Sequence, residues 1–326
     1  MKTTVDHLKF RTWSGPQAIL QALRPALGFV DQDLLTLSDQ EEGKDGWLHR
    51  KNLLIAGDVV FGSIDYGGDH QRGWVRCNIP GSGCAWVQDW SVIERLPKVL
   101  EKATIKRLDL ALTTYLGQVT HDLVIQAHDD KQFGTGGRHP HRRVIDGSDP
   151  YAGRTIYIGS RTSHKFARCY EKGWELLKEY PASVRTYIAT TGSLIELDGL
   201  GHYDPAKIYR LEVEYKDEDK KPVPWSATYS ERDEHFAGAY PFFASMLPGV
   251  QPLKVRPLPE VSSKLALASA IDHCRRSYGA TIRAVYMAYG GDHQRVLDML
   301  MSEKPAEQLI RAGVLLVNHP GARETV

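Results

Sequence analysis

The strongest constraint on this chain is a two-residue alternation in three separate segments: IKRLDLALTT (105–114), KFARCYEK (165–172) and KIYRLEVEYK (207–216). Neighbouring side chains on a strand point to opposite faces, so each segment reads as a strand with two unlike sides. In the first, Leu108, Leu110 and Leu112 form the core side, and Arg107, Asp109 and Ala111 form the other, which reads as solvent-facing. In the second, Phe166, Arg168, Tyr170 and Lys172 share a face. In the third, Arg210 lies with Glu212 and Glu214, two carboxylates that repel unless a cation lies between them, a place for Arg210 or for a metal ion.

Around these segments the pattern mixes strands and helices. VDHLKFRTW reads as a first strand and GPQAILQALRPAL as a helix. NLLIAG, VVFGSIDY and GWVRCNIPG follow as an antiparallel meander. SVIERLPKVLEKA predicts one amphipathic helix bent at Pro97, with Ile93, Leu96, Val99 and Leu100 inward. HDLVIQAHDD is a second helix, 131–153 a long Gly-, His- and Arg-rich loop, and TIYIGS a short strand before KFARCYEK. This order indicates an α+β domain on a central antiparallel sheet with flanking helices. Its span is 1–247, followed by a proline-rich linker, 248–262, and an all-helical C-terminal domain, 263–326.

At 326 residues the chain can bury a full core without metal or disulfide staples. Four cysteines (77, 84, 169 and 274) lack CxxC spacing and read as reduced. No apolar run approaches the roughly 18 residues of a membrane span, and MKTTVDHLKFRTW lacks the core of a signal peptide, so a cytoplasmic location is expected. The net charge of +1 argues against indiscriminate nucleic-acid coating. It conceals a basic stretch, 131–178, and an acidic one, 212–234, the pair that a site needs to hold an anion and a cation together. YGGDHQR occurs twice, at 66–72 and 289–295, without marking a structural repeat.

Within GSRTSHKFARCYEKG (159–173), Arg161, His164, Lys165, Arg168 and Lys172 surround Tyr170. A phenol with a pKa of about 10 is a weak nucleophile, and adjacent cations favour the phenolate. Phosphoryl transfer needs little beyond a nucleophile, alignment and charge neutralisation. Tyr170 with its cations, and Asp109, Glu212 and Glu214 as hard oxygen ligands for Mg²⁺ or Mn²⁺, supply those parts and suggest a tyrosine-dependent DNA strand-cutting enzyme. In GGRHPHRR, arginines beside His139 and His141 disfavour a cation, so Arg138, Arg142 and Arg143, with Lys165, read as DNA-phosphate contacts.

RLDLA (107–111), GRTIYIGSR followed by RCYEKG (153–173) and YRLEVEYK (209–216) together resemble the phage and plasmid replication initiation factor family, the Rep_trans rolling-circle initiators. FAGAYPF (236–242) is similar to its filamentous phage and prophage branch. The similarity runs from about Tyr66 to Phe243. The resemblance implies a variant of the HUH endonuclease fold, in which acidic residues replace some paired histidines. It also implies nicking at a double-strand origin with a 5′-phosphotyrosyl link, a free 3′-OH and later rejoining. Tyr170 matches the nucleophile, Asp109 and Glu212 the acidic metal positions, Arg161, Arg168 and Lys172 the basic positions, and Glu214 matches less well. Thr113 stands where many relatives have a second aspartate. Implied partners are origin DNA and a host helicase and polymerase, with homodimerisation left open. Two other readings stay open: a non-catalytic DNA-binding regulator of the same fold and a conjugative relaxase.

Overall fold

The computed structural model describes residues 2–301 apart from 29–30, 135, 148–151, 179, 198–200, 218–221 and 256–258. Glu218 and Asp219 of the acidic stretch, and the end of the C-terminal segment, lie outside the described residues.

Thirteen strands are seen among the described residues: β1 (Thr4–Thr12), β2 (Leu35–Leu37), β3 (Glu41–Glu42), β4 (His49–Ile55), β5 (Val59–Tyr66), β6 (Val75–Ile79), β7 (Thr104–Thr114), β8 (Arg142–Ile145), β9 (Thr155–Ile158), β10 (Lys165–Tyr170), β11 (Ile195–Leu197), β12 (Gly201–Tyr203) and β13 (Tyr209–Lys216). Eleven form one sheet in the order β2, β4, β5, β6, β1, β7, β13, β10, β9, β8, with β3 beside β4; β11 and β12 pair separately. The pairings are antiparallel throughout.

Period-two patterning sets which side of this sheet is dry. Leu108, Leu110 and Leu112 of β7 are fully buried, as are Leu211 and Val213 of β13 and Leu8 and Phe10 of β1. Ile19 and Leu23 of helix Pro16–Leu23, Ile93 of helix Trp90–Glu94, and Phe236 of helix Arg232–Ala239 belong to the same core cluster. The opposite side carries polar side chains, several of intermediate exposure, with Asp109 and Glu212 buried among them. This is the α+β sheet-and-helix architecture that the alternation predicts.

The expected single helix after residue 90 is two short ones, Trp90–Glu94 and Leu96–Val99. Pro97, with no amide hydrogen to donate, prevents a continuous ladder. Ile93, Leu96 and Leu100 are buried, whereas Val99 is exposed. The long loop 131–153 contains β8, and helices Lys172–Leu176 and Ala182–Thr191 complete stretches that alternation does not predict.

The two copies of YGGDHQR share a local device. Gly67 and Gly68, and Gly290 and Gly291, all have positive φ; Asp69 then begins a helical turn, and Asp292 caps the helix that starts at His293. Glycine adopts that backbone without Cβ strain, so the motif marks a chain reversal that starts a helix.

The chain divides into two compact units, 1–255 and 256–326. In the second, helix Pro259–Ala288 starts inside the span expected as linker and is followed by helix His293–Leu300, which buries Val296. No helix among the described residues is long and apolar enough to cross a membrane.

Candidate active site on the polar face of the sheet

Strand register turns three sequence patterns into one surface. In β13 and β7, Glu214 lies opposite Asp109, Glu212 opposite Ala111, and Arg210 opposite Thr113. In β10 and β13, Arg168 lies opposite Glu212, and Tyr170 opposite Arg210. β9 places Tyr157 opposite Arg168, and β8 places Arg143 opposite Tyr157. Arg143, Tyr157, Arg168 and Glu212 thus form one row, with Asp109 and Glu214 in the next.

Asp109 and Glu214, opposed on neighbouring strands, would repel each other without a cation between them. Arg107 supplies it, donating from Nε to Asp109 Oδ1 at 2.8 Å and reaching Glu214 Oε2 at 3.0 Å. Lys216 Nζ meets Glu214 Oε1 at 2.7 Å. Glu212 receives both of its hydrogen bonds from Arg168 Nη2, at 2.9 and 2.7 Å. Arg210, one of the two candidates to neutralise the glutamates, instead pairs with Asp6 at 2.7 Å and donates to Thr113 at 3.0 Å. The register across the sheet offers the glutamates other partners.

Asp109 faces away from the leucine side as expected, yet it is 2% exposed and not solvent-facing. Burial raises its pKa to about 6, and Arg107 opposes that shift. Burial likewise lifts Glu212 to about 7, against the pull of Arg168. These are values at which carboxylates exchange protons near neutrality.

Tyr170 ends β10 at 6% exposure, with the Arg168 guanidinium 4.9 Å and Lys172 Nζ 5.8 Å from its ring centroid. The flanking cations were expected to favour the phenolate. Burial outweighs them and holds the phenol well above its ordinary value, although Arg210 and Arg168 pull it down. Lys172 reaches the ring from the first residue of a helix, not from the strand, and also binds Glu175 at 2.8 Å. Glu171 turns away to Arg154.

Arg161 stacks over Tyr157 and Phe166, at 5.1 and 5.7 Å from their ring centroids. Together with Arg107, Phe166, Arg168, Glu212 and Glu214 it lines a cavity of about 120 Å³. The other expected DNA contacts are dispersed. Arg143 is exposed in the Tyr157 row, whereas Arg142, on the opposite side of β8, pairs with Asp129. Arg138 donates to His141 Nε2 at 3.2 Å. Lys165 lies over the Tyr240 ring and donates to the Ala239 carbonyl, outside the cluster.

The carboxylate donors are of the kind that suits a hard divalent cation: buried Asp109 and half-buried Glu214 are opposed and oxygen-only, with Arg107 between them and Lys216 on Glu214. Among the described residues no three His, Cys, Asp or Glu side chains are arranged to hold a metal ion. The guanidiniums of Arg107 and Arg168 hold the carboxylates instead, so an ion would have to replace them.

The family model described as replication initiation factor matches residues 103–301. The chain belongs to the replication initiation factor family. The match begins later than the expected Tyr66 and extends past Phe243 into the helical segment. No curated protein matches the sequence. Among solved structures, the rolling circle replication initiator protein from Geobacillus stearothermophilus is similar over 78% of this chain and 98% of that one, with a TM-score of 0.50. At 18% identity that likeness concerns the fold.

For this replication initiation factor, β1 adds residues that pattern reading passed over. Asp6 holds Arg210, and His7 lies opposite Asp109 with Nε2 2.8 Å from Asn78 Oδ1. Burial, then Arg107, lowers the His7 pKa to about 4, so its ring is neutral at pH 7. The alternation His7, Lys9, Arg11 was the available signal. Tyr157 also belongs to the face and is more exposed than Tyr170.

Proposed function

We propose that the protein is a rolling-circle replication initiator that nicks one DNA strand at its origin and later rejoins it. The observation that carries this reading is the convergence of Tyr170, Arg168 and three carboxylates on one face of three adjacent strands. Tyr170 Oη attacks the scissile phosphorus, the bond from phosphorus to the 3′ oxygen breaks, and the strand is left with a 5′-phosphotyrosyl link. The phenolic proton passes to solvent and the departing 3′ oxygen is protonated, giving the 3′-OH that a polymerase extends. Attack by a 3′-OH on that link reverses the step and rejoins DNA.

Neutralisation of the phosphate falls to Arg168, Arg161 and Lys172, which surround the tyrosine or the adjoining cavity. Asp109 and Glu214, with Glu212 beside them, would hold Mg²⁺ or Mn²⁺, which supplies positive charge to the phosphate oxygens. Arg143, at the outer end of the Arg168 row, contacts the backbone of the bound strand. Since Tyr170 is buried and Glu212 is closed by Arg168, DNA must draw Arg168 outward before attack. Its guanidinium then exchanges a carboxylate for a phosphate, two anions that it binds with similar geometry.

The test uses the full chain with Mg²⁺ or Mn²⁺ and supercoiled DNA carrying its own origin. A covalent protein–DNA adduct is expected from the native protein and none from Tyr170→Phe. Absence of an adduct from the native protein would leave a non-catalytic DNA-binding protein of the same family. Asp109→Ala or Glu212→Ala is expected to abolish metal-dependent nicking while origin binding persists; unchanged nicking would remove that residue from the ion site.

A further inference from the structure

The polar face does not end at the carboxylates. From His7, opposite Asp109, β1 runs through Lys9 and Arg11, and Trp13 follows its last residue, a path of about 20 Å at strand rise. Trp13 and Trp74 lie edge to face with centroids 5.8 Å apart. Lys102 Nζ stands 3.1 Å above the Trp13 ring, and the Arg11 guanidinium 4.2 Å from the centroid of Trp74. One strand over, Arg76, the register partner of Arg11, lies over Trp47 at 5.3 Å. Three of the seven tryptophans therefore meet cations at one end of this face.

Burial alone does not account for the arrangement. Trp13 is 44% exposed, although an indole of that size would bury a large apolar area if stability were its purpose. Lys102 adopts φ 51°, a left-handed backbone that non-glycine residues rarely hold, and does so where its ammonium covers the ring. Aromatic rings alternating with cations along a surface are what unpaired nucleic acid requires: rings stack on bases of any sequence, and cations meet the backbone.

We infer that Trp13 and Trp74, with Lys102 and Arg11, form a stacking platform for single-stranded DNA. Bases several nucleotides away from the nicked phosphate lie there while the strand follows β1 from the carboxylate cluster. This inference rests on the proposed reading of the face as a nicking site and adds where the opened strand is held. Sequence-independent capture is expected, because the platform presents ring faces and charges, not a pattern of base-edge partners.

The experiment measures binding of the full chain to fluorescein-labelled oligothymidylate of about 16 nucleotides in EDTA, where no ion-dependent cleavage occurs. The double variant W13A/W74A is expected to bind roughly tenfold or more weakly, while W13F/W74F, which keeps ring faces, stays near the native affinity. Native tryptophan emission is expected to be quenched by unlabelled oligothymidylate. Equal affinity of the alanine pair and the native protein would overturn the inference, as would equal loss in both pairs or no binding by the native chain. The nicking reading is scored separately by adduct formation. A native chain that forms the adduct while the alanine pair binds normally loses only the platform; a native chain without adduct whose alanine pair binds poorly loses only the nicking.

Discussion

Asp109 and Glu212 are acids whose folded-state values, about 6 and about 7, stand above their ordinary ones because burial penalises their charged forms. The folded protein therefore holds their protons more tightly than the unfolded chain does. Their contribution to stability is fully present below about pH 4 and is lost as pH rises through about 6 to 7. His7 has the opposite sign: its value, lowered to about 4, lends stability that grows as pH rises from there towards 6.5. Comparison of the native protein with an Asp109→Asn, Glu212→Gln double variant isolates the carboxylates. Thermal melts without divalent ions are expected to show a flatter fall in Tm between about pH 5 and pH 8 for the variant. Added Mg²⁺ should raise the native Tm more at the upper end, since ligands must be deprotonated to bind it. Identical slopes in both proteins would remove the two carboxylates as the titrating pair.

Elements determine how far each residue can be read in advance. Alternation within β7, β10 and β13 assigned Asp109, Arg168, Tyr170, Glu212 and Glu214 to a non-core face, because side-chain direction is local. Register is tertiary, and so the partners were not legible: Arg210 meets Asp6 across 204 positions, and Glu212 meets Arg168 across 44. The end of β10 was missed for a similar reason. KFARCYEK alternates through Lys172, yet Gly173 lets a helix begin there by packing its backbone against the turn before β13. Its amide donates to the Ile208 carbonyl at 3.2 Å, and an added Cβ would lie 1.9 Å from the Pro205 carbonyl oxygen. Gly173→Ala is therefore expected to cost about 1–3 kcal/mol and to shift Lys172 away from Tyr170. Urea unfolding together with adduct yield checks both effects; unchanged stability would contradict this packing.

At the scale of the molecule, the large sheet and the core behind it lie within residues 1–255, and the helical unit spans 256–326. Each polar side chain assigned to the proposed nicking site or the proposed tryptophan platform belongs to the first unit. Truncation after Val255 is accordingly expected to leave a cooperative thermal transition close to that of the full chain, whereas a chain that no longer melts cooperatively would show that the sheet depends on the helices. On the proposed reading Tyr170, and not the more exposed Tyr157 in the adjoining row, takes the DNA phosphate. Trypsin separates the two, because cleavage after Arg168 and Lys172 leaves Cys169–Lys172, and cleavage after Arg154 and Arg161 leaves Thr155–Arg161. Mass spectrometry of the nuclease-trimmed, trypsin-digested adduct is expected to find the nucleotide mass on Cys169–Lys172, whereas its appearance on Thr155–Arg161 would contradict the assignment of the nucleophile.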